Sequence, residues 1–237
     1  MIQENIKAIR SEMEKHCMLS KRDPKDVTLI AVSKTKPLSM VNEAIAAGQF
    51  VFGENKVQEM CEKHEALKDY PEIQWHLIGH LQTNKVKKAV LSACMIHSVD
   101  SLMLAKEIDK QASKINKVQD ILLEVNVAEE ESKFGFSLKE AEEVIPDILA
   151  LNNVRLRGFM TVAPYTDNPE NNRCYFRSLK QLMVDIQSKF QDNKNIDVLS
   201  MGMSGDYTVA IEEGATHIRV GTSIFGERDY SLQKGIE

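Results

Sequence analysis

Cysteine is scarce. The 237 residues hold four, Cys17, Cys61, Cys94 and Cys174, far apart and without a CxxC spacing. That excludes a disulfide framework or a cysteine zinc site and points to reduced thiols in a cytoplasmic chain. An excess of basic charge is also missing. The net charge is −5, no long basic run occurs, and Lys87–Lys88 reads as a solvated helix face. Nucleic acid is therefore not expected as the main partner. No apolar run approaches the ~20 residues needed to span a bilayer. The opening MIQENIKAIR carries charges throughout, which does not fit a signal peptide. Nor does a linker, a composition break, a low-complexity segment or a short-period repeat divide the chain, so residues 1–237 are expected to form one domain. What is present is an apolar content of 43%, ample for a large core.

Periodicity then supplies the elements. Ile2, Ile6, Ile9, Met13 and Cys17 recur at three- and four-residue spacing and predict a helix over 2–18. The stretch LIAVSKTKP (29–37) reads as a buried strand running into Lys34 and stopped by Pro37. A helix from Ser39 to Ala47, a strand at 50–53 and a helix from 55 to 67 follow, the last with Asn55 as N-cap and Gln58 in capping-box position. Further strands are expected at 74–79, 95–99, 120–127, 154–160, 197–202 and 216–221. The intervening helices span 83–93, 101–115, a segment opened by a Ser137/Glu140 capping box, one opened by Asn168–Pro169, and 204–213. Eight strands alternating with eight helices, after one extra N-terminal helix, predict a parallel (β/α)8 TIM barrel. A doubly wound open sheet is the alternative.

In such a barrel the site lies at the carboxyl ends of the strands. Lys34 sits at one of them. Its ordinary reading is a strand-end lysine snorkelling to water. The alternative is an amine freed by desolvation as a nucleophile toward carbonyls. Two small-residue turns, SMGMSGD (200–206) and RVGTSIFG (219–226), follow strands seven and eight. There barrels often bind phosphate, using close backbone approach at glycine and helix N-termini. Either turn alone is ordinary; both together point to a phosphorylated ligand. A phosphate grip facing a lysine suggests pyridoxal 5′-phosphate. A Schiff-base aldolase acting on a sugar phosphate is the other candidate, with Glu54 or Glu124 as proton shuttle.

The chain also resembles a known family. LIAVSKTKP (29–37), FGENKVQE (52–59), WHLIGHLQTNK (75–85), EVNVAEEESKFGF (124–136), RGFMTV (157–162), SMGMSGD (200–206) and IRVGTSIFGERDY (218–230) are similar to segments of the pyridoxal phosphate homeostasis proteins. The resemblance spans nearly the whole length. It implies a fold like the barrel domain of alanine racemase and ornithine decarboxylase. It also implies covalent cofactor binding without established turnover, in vitamin B6 balance. Carried over, Lys34 would hold the cofactor as an internal aldimine. Ser200, Gly221 and Thr222, with amides near Gly202, Met203 and Ser204, would hold its phosphate. Arg219 would face the pyridine nitrogen, and Asn55 and Met160 would line the walls. His76 and His80 could touch the cofactor, with a hydrogen-bonded core histidine the better reading. His80 departs from the proline of many relatives.

Two classes of function follow. One is a carrier that stores, buffers or delivers the cofactor, with cofactor-dependent apo-enzymes as possible receivers. The other is an amino-acid racemase or decarboxylase. Racemisation needs acid/base groups on both faces of the α-carbon. The related racemases take one from a separate β-domain, for which no segment is expected here. Arg219 at the ring nitrogen would also weaken the ring as an electron sink. Both features favour the carrier, and a monomer.

Overall fold

The computed structural model describes residues 1–130, 132–191 and 195–227. Arg228, Asp229 and Tyr230, and the polar C-terminus expected beyond them, lie outside the described residues. From the N-terminus the elements are α1 (Ile2–Leu19), β1 (Thr28–Val32), α2 (Leu38–Ala46), β2 (Val51–Glu54), α3 (Val57–Ala66), β3 (Gln74–Leu77), α4 (Val86–Ser92), β4 (Met95–Val99) and α5 (Leu102–Ser113). They continue with β5 (Gln119–Glu124), α6 (Leu138–Leu149), β6 (Val154–Met160), α7 (Arg173–Lys189), β7 (Val198–Ser200), α8 (Tyr207–Glu212), β8 (His217–Val220) and α9 (Thr222–Phe225).

The eight strands pair in sequence order into a closed parallel barrel. The closing contact is β1 against β8, with Thr28 opposite His217, Ile30 opposite Arg219 and Ala31 opposite Val220. That pairing rules out the open doubly wound sheet. Successive strand residues point to opposite faces. Phe52, Trp75, Ile121, Phe159 and Ile218 therefore join the helix stripes in one continuous outer core, while Met95, Leu122, Met160 and Val198 form a separate cluster inside the barrel.

The stripe predicted for α1 is buried as a set, at Ile2, Ile6, Ile9, Met13 and Cys17. It packs on α8, α2 and α9. With α8 only six residues long, α1 supplies apolar cover beside the β8–β1 seam. Asn5 ties it to α9 through a 2.9 Å bond from Nδ2 to the Ile224 carbonyl.

Several helix starts differ from expectation. α3 begins at Val57, with Lys56 as an N-cap that makes no side-chain bond, and Gln58 reaches forward to Glu62 instead of closing a capping box. The reason lies at Asn55, whose backbone is pressed against Gly79. A Cβ at Gly79 would stand 2.5 Å from the Asn55 carbonyl oxygen. α2 starts at Leu38 behind Pro37. Asn168 accepts the Glu170 amide as expected, but it opens a 3-10 turn, Pro169–Asn172, ahead of α7. α8 begins at Tyr207 with Asp206 before it, not at Ser204. The Ser137/Glu140 capping box is present in full.

Candidate functional site

A cleft of about 440 Å³ opens among the carboxyl ends of the strands, within the usual size for a small-molecule site. Ile30 and Val32 alternate with the outward Leu29 and Ala31, and continuing that alternation past β1 brings Lys34 to the inner side. It lines the cleft, half-buried. The chain then turns sharply. The Lys36 amide bonds the Ser33 carbonyl at 3.0 Å, and Thr35 has φ +62°. A positive φ at the third residue is the type II pattern, which favours glycine or asparagine and is costly for a β-branched residue.

This turn separates the two lysines. Lys36 Nζ donates to the carbonyls of Phe225, Gly226 and Glu227 at 3.2, 3.0 and 2.8 Å, capping the carboxyl end of α9. Lys36 lines the cleft as Lys34 does, but its amine is engaged by the carbonyls at the end of α9.

Opposite stand the turns after β7 and β8. Met203, Ser204, Gly221 and Thr222 line the cleft, as do Arg219 and Asn55. The Ser204 hydroxyl accepts the Gly221 and Ser223 amides at 3.3 and 3.4 Å, long bonds that lace the two turns together. Asp206, missed in the sequence, orders the first turn. Its Oδ1 accepts the Met203 amide at 2.7 Å and its Oδ2 accepts Asn172 Nδ2 at 2.8 Å. The Met203 amide is therefore occupied within the protein. Gly202 is not among the cleft-lining residues. At φ +90° it lets the turn pack on α8, where a Cβ would meet Ala210 Cβ at 2.6 Å.

Two other expected residues lie below the cleft. Met160 is fully buried in the cluster inside the barrel. Ser200 is fully buried, and its hydroxyl sits between Arg219 and His97. Arg219 Nη1 donates to Ser200 Oγ at 2.6 Å, and Nη2 donates to the Thr161 carbonyl at 2.7 Å. His97 Nδ1 lies 2.9 Å from Ser200 Oγ, and His97 Nε2 lies 2.8 Å from His76 Nδ1. A guanidinium only donates, so with the serine proton assigned to His97 Nδ1 the direction passes on to His76. Both rings are then neutral with the proton on Nε2. Burial favours that form. It pushes His76 down to about 3, helped by His217, and His97 well below its ordinary value, helped by His76, His217 and Arg219.

His76 is thus a core histidine and does not line the cleft. His80 lies outside the cleft, 3.1 Å from Asp100 and stacked on Phe134. The carboxylates considered as proton shuttles part company. Glu54 points outward and pairs with Lys63 of α3 at 2.7 Å, away from the cleft. Glu124 is shifted up to about 7, chiefly by burial, with Asp100 adding and Arg219 opposing.

The alanine racemase N-terminal domain family model matches residues 1–229. A pyridoxal phosphate homeostasis protein of Aquifex aeolicus (strain VF5) is 45% identical over 227 residues, covering 96% of this chain and 98% of its own. This chain belongs to that family. PipY of Synechococcus elongatus PCC7942, solved with PLP bound, superposes with a TM-score of 0.82 at 36% identity, covering 95% of this chain and 100% of PipY. PipY solved without PLP gives 0.84 at 37%, with the same coverage. Within this homeostasis-protein fold, the residues that sequence reasoning passed over are Asp206, Asn172 and Tyr165 at the cleft, and Lys63 and Glu59 behind Lys34. Asp206 stood inside a quoted motif. Glu59 closed another quoted motif, FGENKVQE, while Lys63 carried only the signal of an ordinary i,i+4 helix pair with it.

Proposed function

We propose that this chain binds pyridoxal 5′-phosphate in the cleft, with Lys34 as the covalent attachment point, and serves vitamin B6 homeostasis in the cytoplasm by storing, buffering or delivering it. The observation that carries this reading is the meeting of Lys34 with the Ser204 and Gly221–Thr222 turns in one cleft. The residues fit the group on independent grounds. Asn55 Oδ1 is buried at the cleft with no hydrogen-bond partner among the described residues, and a hydroxyl-bearing ligand would satisfy it. When bound, pyridoxal phosphate supplies an aldehyde that condenses with an amine.

The protein's own residues do the rest. Lys34 offers the nucleophilic nitrogen. Ser204 and Thr222 offer hydroxyl donors to an oxyanion between two short turns, which the Gly221 amide laces together through Ser204. Arg219, held from below by Ser200 and Thr161, keeps a fixed positive charge on the cleft floor. A carboxylate in that place would hold a proton on a ring nitrogen; an arginine does not. That supports holding over turnover; the carrier we propose is a monomer, with cofactor-dependent apo-enzymes as its receivers. The sugar-phosphate aldolase alternative gains no support at Glu54, which faces α3. Absorbance of the purified protein, followed by borohydride and peptide mapping, tests the reading. A label on the Lys34 peptide supports it, and absence of label there refutes it.

A further inference from the structure

α3 lies outside the barrel, yet two of its side chains hold the backbone on either side of Lys34. Lys63 Nζ donates to the Ser33 carbonyl at 2.7 Å, in the peptide unit entering Lys34. Glu59 Oε1 accepts the Thr35 amide at 2.6 Å, in the peptide unit leaving it. The two grips are joined to each other. Lys63 Nζ lies 2.8 Å from Glu59 Oε1 and 2.7 Å from Glu54 Oε1. The Ser33 hydroxyl donates to that same Glu54 oxygen at 2.6 Å.

These charges are deep. The Glu54 and Lys63 side chains are 0% and 7% exposed. A buried ion pair is a poor route to stability, because desolvation offsets most of the attraction. Here its bonds end on the two peptides that decide where Lys34 points. Between them Thr35 is held at φ +62°, a conformation that persists in a β-branched residue only when its surroundings impose it.

We propose that Lys63 and Glu59 are positioning residues for Lys34, clamping the strained turn so that the amine is presented to the cleft. The proposal rests on Lys34 being the attachment point. There a carbon–nitrogen double bond forms, and the aldehyde oxygen leaves as water with the two amine hydrogens. The clamp sets the approach of the nitrogen, which depends on near-attack geometry, and not the grip on the phosphate.

The test uses the full chain freed of cofactor. Glu59 is the accessible member, so Glu59→Ala is the first variant and Glu59→Gln, which keeps an acceptor for the Thr35 amide, is the conservative one. Three quantities are measured: the rate of covalent attachment of pyridoxal phosphate to Lys34, the affinity for pyridoxine 5′-phosphate, which has no aldehyde, and hydrogen exchange at the Thr35 amide without ligand. Losing a bond to a charged group predicts attachment slower and exchange faster by roughly tenfold or more in Glu59→Ala. Pyridoxine phosphate affinity should stay within about twofold, and Glu59→Gln should recover most of both rates. Should Glu59→Ala fail to fold, Lys63→Met is measured in its place, with Lys63→Arg as its conservative variant. Attachment at the wild-type rate overturns the clamp, as does an equal loss of pyridoxine phosphate affinity, which marks general structural damage. A wild-type protein that takes no label at Lys34 refutes the underlying reading instead, and is told apart by that control.

Discussion

Arg219 donates to the Ser200 hydroxyl at 2.6 Å from within the barrel, so the serine supports the cleft floor instead of facing the cleft. Ser200→Ala should therefore leave phosphate binding nearly unchanged and destabilise the fold. It strips partners from the buried guanidinium and from His97 Nδ1, at a cost of about 1–3 kcal/mol. Urea unfolding and pyridoxal phosphate titration separate the two effects. A large loss of affinity with unchanged stability would return Ser200 to the phosphate.

Ser204→Ala and Thr222→Ala should do the reverse. Each is expected to weaken pyridoxal phosphate binding by roughly 1.5–3 kcal/mol, the worth of a hydrogen bond to a charged group, with the melting temperature of the cofactor-free protein little changed. Pyridoxal without its phosphate should bind far more weakly than the ester in the wild type, and these variants should narrow the gap. Equal wild-type affinities for the two would show that the turns are only connections.

Lys36 offers a control for Lys34. Lys34→Ala should abolish the borohydride-fixed label. Lys36→Ala should keep the label on Lys34 but loosen α9, because three carbonyls lose their common donor. The expected readouts are a lower melting temperature and faster exchange in residues 222–226. Label moving to Lys36 in the wild type would reverse the assignment.

Acid should destabilise this protein through its buried histidines. Burial and nearby positive groups hold His76 at about 3 and His217 at about 4, and His97 is also depressed. Unfolded, each takes a proton near 6.5. Below that value the unfolded state binds more protons than the native one, so stability is full above pH 6.5 and falls toward pH 4 and below. Each such histidine contributes a slope of up to about 1.4 kcal/mol per pH unit. Glu124, raised to about 7, acts in the opposite sense and lowers stability as pH climbs from about 4.5 to 7. Denaturation midpoints from pH 4 to 8 should rise with pH overall, and Glu124→Gln should stabilise at pH 8 more than at pH 5.

Amino acids should not be turned over at an enzymatic rate. Ordinary enzymes reach about 1–1,000 per second. Solvent deuterium should enter the α-position of alanine far more slowly, with Lys34→Ala as the control. Rapid exchange that depends on Lys34 would make this an enzyme of the racemase kind.

The fold was legible because its strands are buried on both faces and its helices carry clean stripes, as at Ile2, Ile6 and Ile9. Lys34 and the two turns were legible because βα alternation puts them at strand ends. What was not legible follows from closure. Whether Ser200 or Met201 faces inward depends on the register around the ring, and only the ring shows Ser200 beneath Arg219. Asn55 read as a helix cap because a lone asparagine before a helix usually is one; its pinning by Gly79 comes from a different strand. Lys63 and Glu59 drew no reading because the sequence does not show that their helix face meets the Ser33–Thr35 turn.

The β1–β8 seam has a consequence for how the protein is made. The lysine follows the first strand of the barrel, and the turns that would grip its ligand follow the seventh and eighth. A growing chain that has not reached β7 holds only the lysine. A ligand spanning the lysine and the turns would act as a fastener on the seam, holding the two ends of the polypeptide together. Its concentration in the cell would then set how much of the newly finished chain stays shut.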